Sequence, residues 1–396
     1  MIVEAQVPVG TIAGSSASKG VTLVDPRIKS ATAIRERRVF IFHEQEQFTP
    51  LCQSTAQKPD CVIAQNVGLI LPKPEIQMRI LSGIQSSGNL HIGNYFGMMR
   101  PAIALQAEGE AYYFIADYHA LTSVKDPKLL RENGRRVAID FLACGLDPDR
   151  ATFFRQSDVP QVTELAWILS TVTPMGLLER AHSYKDKIAR GMSASAGLFT
   201  YPVLMAADIL IYDSDIVPVG KDQKQHIEIT RDLAVKMNET FGEILKLPEP
   251  RIQPSTETVP GTDGQKMSKS YGNTIDIFDD EKAMRKRVMG IVTDSSPVEA
   301  PKDPDCSTIF QLYSLFATQD EIAALRDAFQ RGGKGYGEFK KELFSKLWDY
   351  FAPMRKRRAE ILADPKYVDD VLERGAKKAN EVADQVMDRV RSAVGF

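Results

Sequence analysis

The chain of 396 residues has few of the features that mark metal-bound, disulfide-bonded or membrane proteins. Its four cysteines show no CxxC spacing, so neither a zinc site nor a disulfide framework is indicated: Cys52, Cys61, Cys144 and Cys306. No apolar run reaches transmembrane length, and the N-terminus lacks the basic-then-apolar pattern of a secretion signal. A reducing cytoplasm is therefore the expected location.

The chain also has no large excess of charge of either sign. With 50 basic and 52 acidic residues the formal net charge is −2, so any contact with nucleic acid must come from a local patch. The basic run Met354–Arg358 is one candidate, and a solvated helix face is the ordinary alternative. Hydrophobic residues make up 43% of the chain, which is enough for a large core in two or three domains.

The middle of the chain alternates between short apolar runs and helical patterns. The strands predicted are 79–84, 112–117, 151–155 and, as the last one, 216–219; the helices between them are 126–144, 161–173 and 176–190. This alternation predicts an α/β fold with a doubly wound parallel sheet and a helical insertion at about residues 160–200. After Asp276 only helices are predicted, with starts at 279–281, at the capping box 318–321 and near 364–365.

The segment Ser82–Asn94 follows the first predicted strand and leads into a helix. Such a turn offers free backbone N–H groups to a phosphate, and glycine lets the backbone approach a ligand closely. His91 and Asn94 lie three residues apart, so they can share one face of the first helical turn. The segment is a candidate nucleotide-binding loop.

A second candidate loop is Lys266-Met267-Ser268-Lys269-Ser270, which lies between Gly264 and Gly272. Two lysines three residues apart on a mobile loop can close over a polyphosphate. No obvious acidic partner for either lysine is expected. Each loop alone is a weak signal, whereas their order and the α/β stretch between them are much more specific.

Together the two loops resemble the HIGH and KMSKS signatures of class I aminoacyl-tRNA synthetases, which activate an amino acid with ATP. Two further stretches, Ala196–Leu210 and Val217–His226, look like bacterial tryptophanyl-tRNA synthetases, and the resemblance runs from Met78 to Phe396. Ser86 and Lys221 depart from the residues common at their positions in that family, and the approach to the second signature, Pro260–Gln265, looks shorter and richer in glycine.

The resemblance implies a set of site residues. The catalytic residues would be His91, Asn94, Lys266 and Lys269. ATP would be bound by Gln85, Ser86, Ser87, Gly93, Asn94, Gly220, Lys221, Asp222, Val259, Lys266, Met267, Ser268, Lys269 and Ser270. Tryptophan would be bound by Asp208, Tyr201, Met205, Gln223, Gln85 and His119. No protein-bound metal is expected.

Asp208 carries the specificity prediction. It lies in an apolar helical run, where an unpaired carboxylate costs several kcal/mol, so a partner is required. The partner could be a local cap or a salt bridge; the resemblance implies instead the indole N–H of tryptophan. Met205 could equally be ordinary core, and His119 a satisfied core histidine.

The function implied is a tryptophan–tRNA ligase that uses ATP with Mg²⁺ and tRNA(Trp) and forms a homodimer, with an interface near Trp167–Leu178. Residues 78–275 would be the catalytic domain. Residues 276–396 would bind the anticodon, with the last helix packed back on the catalytic domain. Two alternatives are a tyrosyl-specific synthetase and a non-charging regulatory paralogue.

Residues 1–77 lie outside the resemblance and mix polar residues with short apolar runs. They are expected to be a disordered extension or not part of the native protein, with an internal start at Met78. An added tRNA- or partner-binding module is the alternative.

Overall fold

A computed structural model describes residues 78–85, 89–189, 195–220, 223–252 and 259–396. In this part of the chain five parallel strands form one sheet in the order β3-β2-β1-β4-β5. The strands are β1 Arg79–Ile84, β2 Glu110–Ile115, β3 Ala151–Arg155, β4 Ile216–Val219 and β5 Glu249–Ile252. The chain winds outward from β1 to β3 and then returns to β4 on the other side of β1, which confirms the predicted doubly wound fold.

Helices account for most of the remaining described residues, and loops connect them. Up to β5 they are α1 Ile92–Asn94, α2 Arg100–Ala104, α3 Asp117–Ala120, α4 Pro127–Ala143, α5 Gln161–Val172, α6 Met175–Glu179, α7 His182–Ala189, α8 Ala196–Leu210 and α9 Lys224–Phe241. Beyond it they are α10 Glu281–Met289, α11 Thr308–Ser314, α12 Gln319–Arg331, α13 Tyr336–Tyr350, α14 Ala352–Ala363 and α15 Pro365–Val394. None of these helices is long and apolar enough to cross a membrane.

Two predictions about elements were wrong. The predicted helix 176–190 is two helices, α6 and α7, because the chain breaks at Arg180 and Ala181. The strand at 216–219 is not the last, since β5 follows it and was missed. Pro250 lies inside β5 and cannot donate a ladder hydrogen bond, which is tolerated here because β5 is an edge strand.

Alternate residues of β2 point to opposite faces of the sheet. Ala111, Tyr113 and Ile115 belong to the core on one face, and Tyr112 and Phe114 belong to the core on the other. The strand is buried on both faces and reads as a continuous apolar run, as expected for a parallel sheet with helices on both sides.

The long helix α15 packs against β3 and contributes to both cores. Val371 and Leu372 belong to one core, and Ala379 and Ala383 to the other. Between them, Gly375 approaches the backbone of β3 so closely that a Cβ there would lie 1.9 Å from the carbonyl oxygen of Phe153. The helix can cross this strand only because position 375 has no side chain.

We expect Gly375→Ala to destabilise the protein by about 1–3 kcal/mol or more, because overpacking forces the helix away from β3. The measurement is the midpoint of chemical unfolding. Gly337→Ala is the matched control: Gly337 also lies in a helix, but its added Cβ would meet no atom within 4 Å. That variant should be neutral or more stable by roughly 0.5–1 kcal/mol. Equal midpoints for the two variants would contradict the close approach.

Candidate active site

The predicted site residues gather at the carboxyl edge of the sheet. The signature loop follows β1, His119 lies on α3 after β2, Gln156 directly follows β3, and Gly220 follows β4. Because β1 lies between β2 and β4, this is also the point where the winding direction reverses, which is the usual ligand site of such sheets. Four predicted ATP-binding residues lie outside the described residues: Ser86, Ser87, Lys221 and Asp222.

The first signature forms the start of a helix. His91 is the N-cap of α1: its Nδ1 accepts a hydrogen bond from the backbone N–H of Asn94 at 3.2 Å. The side-chain oxygen of Asn94 accepts one from the backbone N–H of His91 at 3.4 Å. Gly93 has no room for a side chain, since a Cβ would lie 2.9 Å from His91 Nδ1 and 3.2 Å from Met267 Cβ. The two signatures are therefore in contact.

His91 is neutral near pH 7. Burial, followed by the charge of Lys269, lowers the pKa of His91 to about 4. Because Nδ1 accepts the hydrogen bond from Asn94, the single ring proton of the neutral form must be on Nε2. His91 thus offers an N–H donor rather than a positive charge.

The second signature lies on a hairpin whose base is locked by one asparagine. The backbone N–H of Met267 donates to the carbonyl oxygen of Val259 at 2.9 Å, and the side chains of both residues are buried. Asn273 is also buried: its Oδ1 accepts from the N–H of Ser268 at 2.8 Å, and its Nδ2 donates to Asp263 at 2.7 Å and to the carbonyl of Lys266 at 3.2 Å. Lys266 and Lys269 themselves are exposed.

Backbone hydrogen bonds join the first signature to the segment that follows the second one. The backbone N–H of Ile92 donates to the carbonyl oxygen of Ile275 at 2.9 Å, and the backbone N–H of Ile277 donates to the carbonyl oxygen of Leu90 at 3.1 Å. This short pairing brings segments almost two hundred residues apart in sequence to the same edge of the sheet. It fixes the lysine loop beside the helix start.

The expectation that the signature lysines lack an acidic partner was wrong for Lys269. Partial desolvation lowers the pKa of Lys269, while the carboxylates of Asp276 and Asp140 act in the opposite direction. Asp276 follows the signature by a few residues, but Asp140 lies on α4, so sequence proximity could not reveal it. Asp140 is in turn paired with Arg358 at 2.8 Å.

That pairing also concerns the basic run on α14. Arg358 is bound to Asp140, and the guanidinium of Arg355 lies 3.5 Å from the ring centre of Trp348. Arg357 pairs with Glu360. Three arginines of the run are therefore engaged within the protein, which matches neither a fully solvated helix face nor a set of free basic groups for tRNA.

Asp208 lies on α8 with only 1% of its surface exposed. His119 Nε2 lies 2.9 Å from Oδ2, and Gln156 Nε2 donates to Oδ1 at 2.8 Å and to Oδ2 at 2.9 Å. Burial raises the pKa of Asp208, and the hydrogen bonds from His119 and Gln156 oppose that rise. The Asp208 side chain is thus paired within the protein, as a salt bridge between elements would be, and His119 Nε2 is one of its partners.

The carboxylate nevertheless has acceptor capacity left. An ionised carboxylate offers about four lone-pair sites, and the three contacts from His119 and Gln156 leave room at Oδ1. The contacts that hold Asp208 within the protein are therefore compatible with one further hydrogen bond from a ligand N–H.

The other predicted tryptophan-binding residues surround Asp208. Tyr201 and Met205 precede it on the same face of α8 and are buried, and the Tyr201 hydroxyl lies 3.1 Å from His226 Nε2 on α9. Gln223, at the start of α9, is also buried. Gln85 Oε1 is a buried acceptor with no hydrogen bond in the described part of the protein, and such a group calls for a donor from a ligand.

Three residues of this region escaped the sequence analysis: Gln156, Asn273 and His226. Each acts through a partner distant in sequence or through the backbone, so no local motif marks it. Among the described residues no group of three or more His, Cys, Asp or Glu side chains could hold a metal ion.

We expect His91 to titrate with a midpoint of about 4, against an ordinary value of 6.5. A depressed folded-state pKa means that the stability linked to neutral His91 is fully present above the ordinary value and is lost as pH falls through about 4. The measurement is the ring-proton NMR signal, assigned by its loss in His91→Asn. Lys269→Ala should raise the midpoint by removing a nearby charge, and a wild-type midpoint near 6.5 would contradict the burial argument.

Comparison with known proteins gives a consistent result. The family model described as tRNA synthetases class I (W and Y) matches residues 73–352. The tryptophan–tRNA ligase of Rhodopirellula baltica is 56% identical over 319 residues, covering 81% of this chain and 100% of the relative. That of Fusobacterium nucleatum is 54% identical over 319 residues, with 80% and 98% covered.

Among solved structures, tryptophanyl-tRNA synthetase from Campylobacter jejuni complexed with ADP and tryptophan superposes with a TM-score of 0.77 at 50% identity. The match covers 81% of this chain and 100% of that one. By sequence and by fold, the chain belongs to the class I tRNA synthetases, in the branch of the bacterial tryptophan–tRNA ligases.

Proposed function

We propose that the cleft at the carboxyl edge of the sheet activates L-tryptophan with ATP and then transfers it to tRNA(Trp), with Asp208 as the residue that selects the amino acid. The single observation that carries this assignment is the Asp208 carboxylate, which is 1% exposed, held by donors, and still able to accept one hydrogen bond. A side chain with an N–H donor and a large apolar ring is the natural partner of such a group.

The apolar part of the pocket would hold the indole. Met205, one turn before Asp208, can pack against the ring face, because a thioether adapts to a flat surface. The residues proposed for the α-amino group are Tyr201 and Gln223, with the unsatisfied Oε1 of Gln85 as a further acceptor for an ammonium N–H. An amino acid with a phenyl ring would leave the remaining acceptor site of the buried carboxylate empty, and a site built to hydrogen-bond its substrate rejects an analogue that lacks the donor.

Activation needs no nucleophile from the protein. The tryptophan carboxylate attacks the α-phosphorus of ATP in line, a mixed anhydride bond forms, and the bond to pyrophosphate breaks with its electrons leaving on the pyrophosphate oxygen. The protein aligns the reactants and stabilises the charge that develops. We assign Lys266 and Lys269 to the leaving pyrophosphate, and His91 Nε2–H and Asn94 to the phosphate region. Mg²⁺ would arrive with ATP.

In the second step a hydroxyl at the 3′ end of tRNA(Trp) attacks the carbonyl carbon of the anhydride and releases AMP. We propose that the helical part of the chain, residues 276–396, binds the anticodon, and that the reaction takes place in the cytoplasm. A homodimer is proposed through α5 and α6, where Trp167 is 72% exposed and Met175 63% exposed. Two large apolar side chains this close in sequence favour a protein contact over solvent.

Asp208→Ala should weaken tryptophan binding by at least about ten- to a hundredfold, because a hydrogen bond to a charged group is worth about 1.5–3 kcal/mol, while ATP binding persists. The measurement is tryptophan-dependent ATP–pyrophosphate exchange, with thermal melting to confirm folding. Asp384→Ala is the control, since Asp384 also accepts from a glutamine amide, at 2.7 Å, but on the exposed side of α15. Wild-type exchange by the Asp208 variant would refute its role.

Lys269→Ala should slow adenylate formation much more than it weakens tryptophan binding, because a contact with pyrophosphate strengthens as the bond breaks. Pre-steady-state kinetics separate the two effects. The exposed Lys282 on α10 provides a lysine-to-alanine control outside the cleft. If Lys269→Ala raised only the KM for tryptophan, the lysine would lie outside the chemistry.

A further inference from the structure

Gln156 is the most constrained polar side chain beside the proposed indole acceptor. It directly follows β3, is 1% exposed, and donates through Nε2 to both oxygens of Asp208. Its other end is fixed as well, since Oε1 accepts a hydrogen bond from the backbone N–H of Tyr118 at 3.0 Å.

The backbone contact settles which way the amide faces. A backbone N–H can only donate, so the atom that faces Tyr118 must be the amide oxygen, and the atom that faces Asp208 must be the NH₂ group. Asp208 therefore meets a group that can donate to it but cannot accept from it. On the side that faces Gln156, the Asp208 carboxylate can therefore act only as an acceptor.

We infer that Gln156 is a specificity-determining residue: by presenting only donors, it holds Asp208 as an acceptor and so fixes the preference of the pocket for a ring that carries an N–H. This inference rests on the proposed role of Asp208. Gln156 acts through Asp208 and is a positioning residue, with no contact to the reacting atoms required.

The assignment predicts a specific loss of discrimination. The probe is 3-benzothienylalanine, which has nearly the shape of tryptophan but carries sulfur where the indole carries N–H. Wild-type protein should prefer tryptophan strongly in ATP–pyrophosphate exchange, as the ratio of the two kcat/KM values. Gln156→Leu should reduce this ratio by about ten- to a hundredfold, mainly through the KM for tryptophan, with the KM for ATP unchanged.

Gln156→Glu gives a sharper test because it keeps the shape of the side chain. In this variant an ionised glutamate would face Asp208 at the 2.8–2.9 Å now spanned by the amide, and two carboxylates so close share a proton. When the glutamate is protonated, its hydroxyl donates to Asp208 and its carbonyl accepts from Tyr118, as the amide does. The KM for tryptophan should therefore be high at about pH 8 and fall towards the wild-type value as pH is lowered, a dependence that wild type lacks.

Gln161→Glu is the matched control. Gln161 lies five residues further on, and its Nε2 donates to Asp384 at 2.7 Å, so the same substitution places a carboxylate against a carboxylate at an exposed site. It should change neither the discrimination ratio nor its pH dependence.

The outcomes separate the two proposals. If wild-type protein does not distinguish tryptophan from the sulfur analogue, the role of Asp208 as indole acceptor fails. If wild type discriminates but both Gln156 variants keep the same ratio at every pH, losing activity on both substrates equally, Gln156 has only a structural role and the inference is overturned. Should Gln156→Leu not fold, the pH profile of Gln156→Glu decides alone.

Discussion

The recognition that we propose for the cleft depends on one carboxylate, Asp208, which has almost no contact with water. Burial of Asp208 alone would favour its neutral form, which raises its pKa. The group can serve as an acceptor because α3 supplies His119 and the end of β3 supplies Gln156. The proposed site therefore needs α3, the end of β3 and α8 to be in place together. Because the parallel sheet fixes where β2 and β3 end, recognition depends on the sheet as much as stability does.

The phosphate side of the cleft is built in a different way. Its lysines are exposed, and their position is set by backbone pairing of the first signature with the segment after the second, and by the buried Asn273 at the base of the hairpin. His91 is neutral there because burial and the charge of Lys269 both oppose a second positive charge. Positive charge is thus concentrated on the exposed lysines, which we assign to the polyphosphate, while the helix start offers oriented N–H groups.

The sequence was sufficient for those parts that carry local signals. The capping residues Asp126 and Thr318, the strand at 151–155 and the sheet class were all recognised from pattern alone. The sequence was insufficient where contacts between distant residues decide the structure. Strand β5 carries a proline, which is acceptable only at a sheet edge. The role of Gln156 depends on a backbone N–H and on a helix that are far away in sequence. Nothing in the sequence around residue 156 indicates which partner its amide will meet.

This contrast has a consequence for specificity. The groups around Asp208 are buried and hydrogen-bonded to one another, so a substitution there leaves a donor or acceptor without its partner. In the proposed function, such a substitution should reduce the selectivity for the amino acid. We assign the signature lysines to the leaving pyrophosphate, so the effect of changing them should fall on the rate of the reaction. Under the assignment we propose, recognition and catalysis therefore reside in separate environments of one cleft: recognition where water is excluded and geometry is fixed, catalysis where charge must follow the departing pyrophosphate.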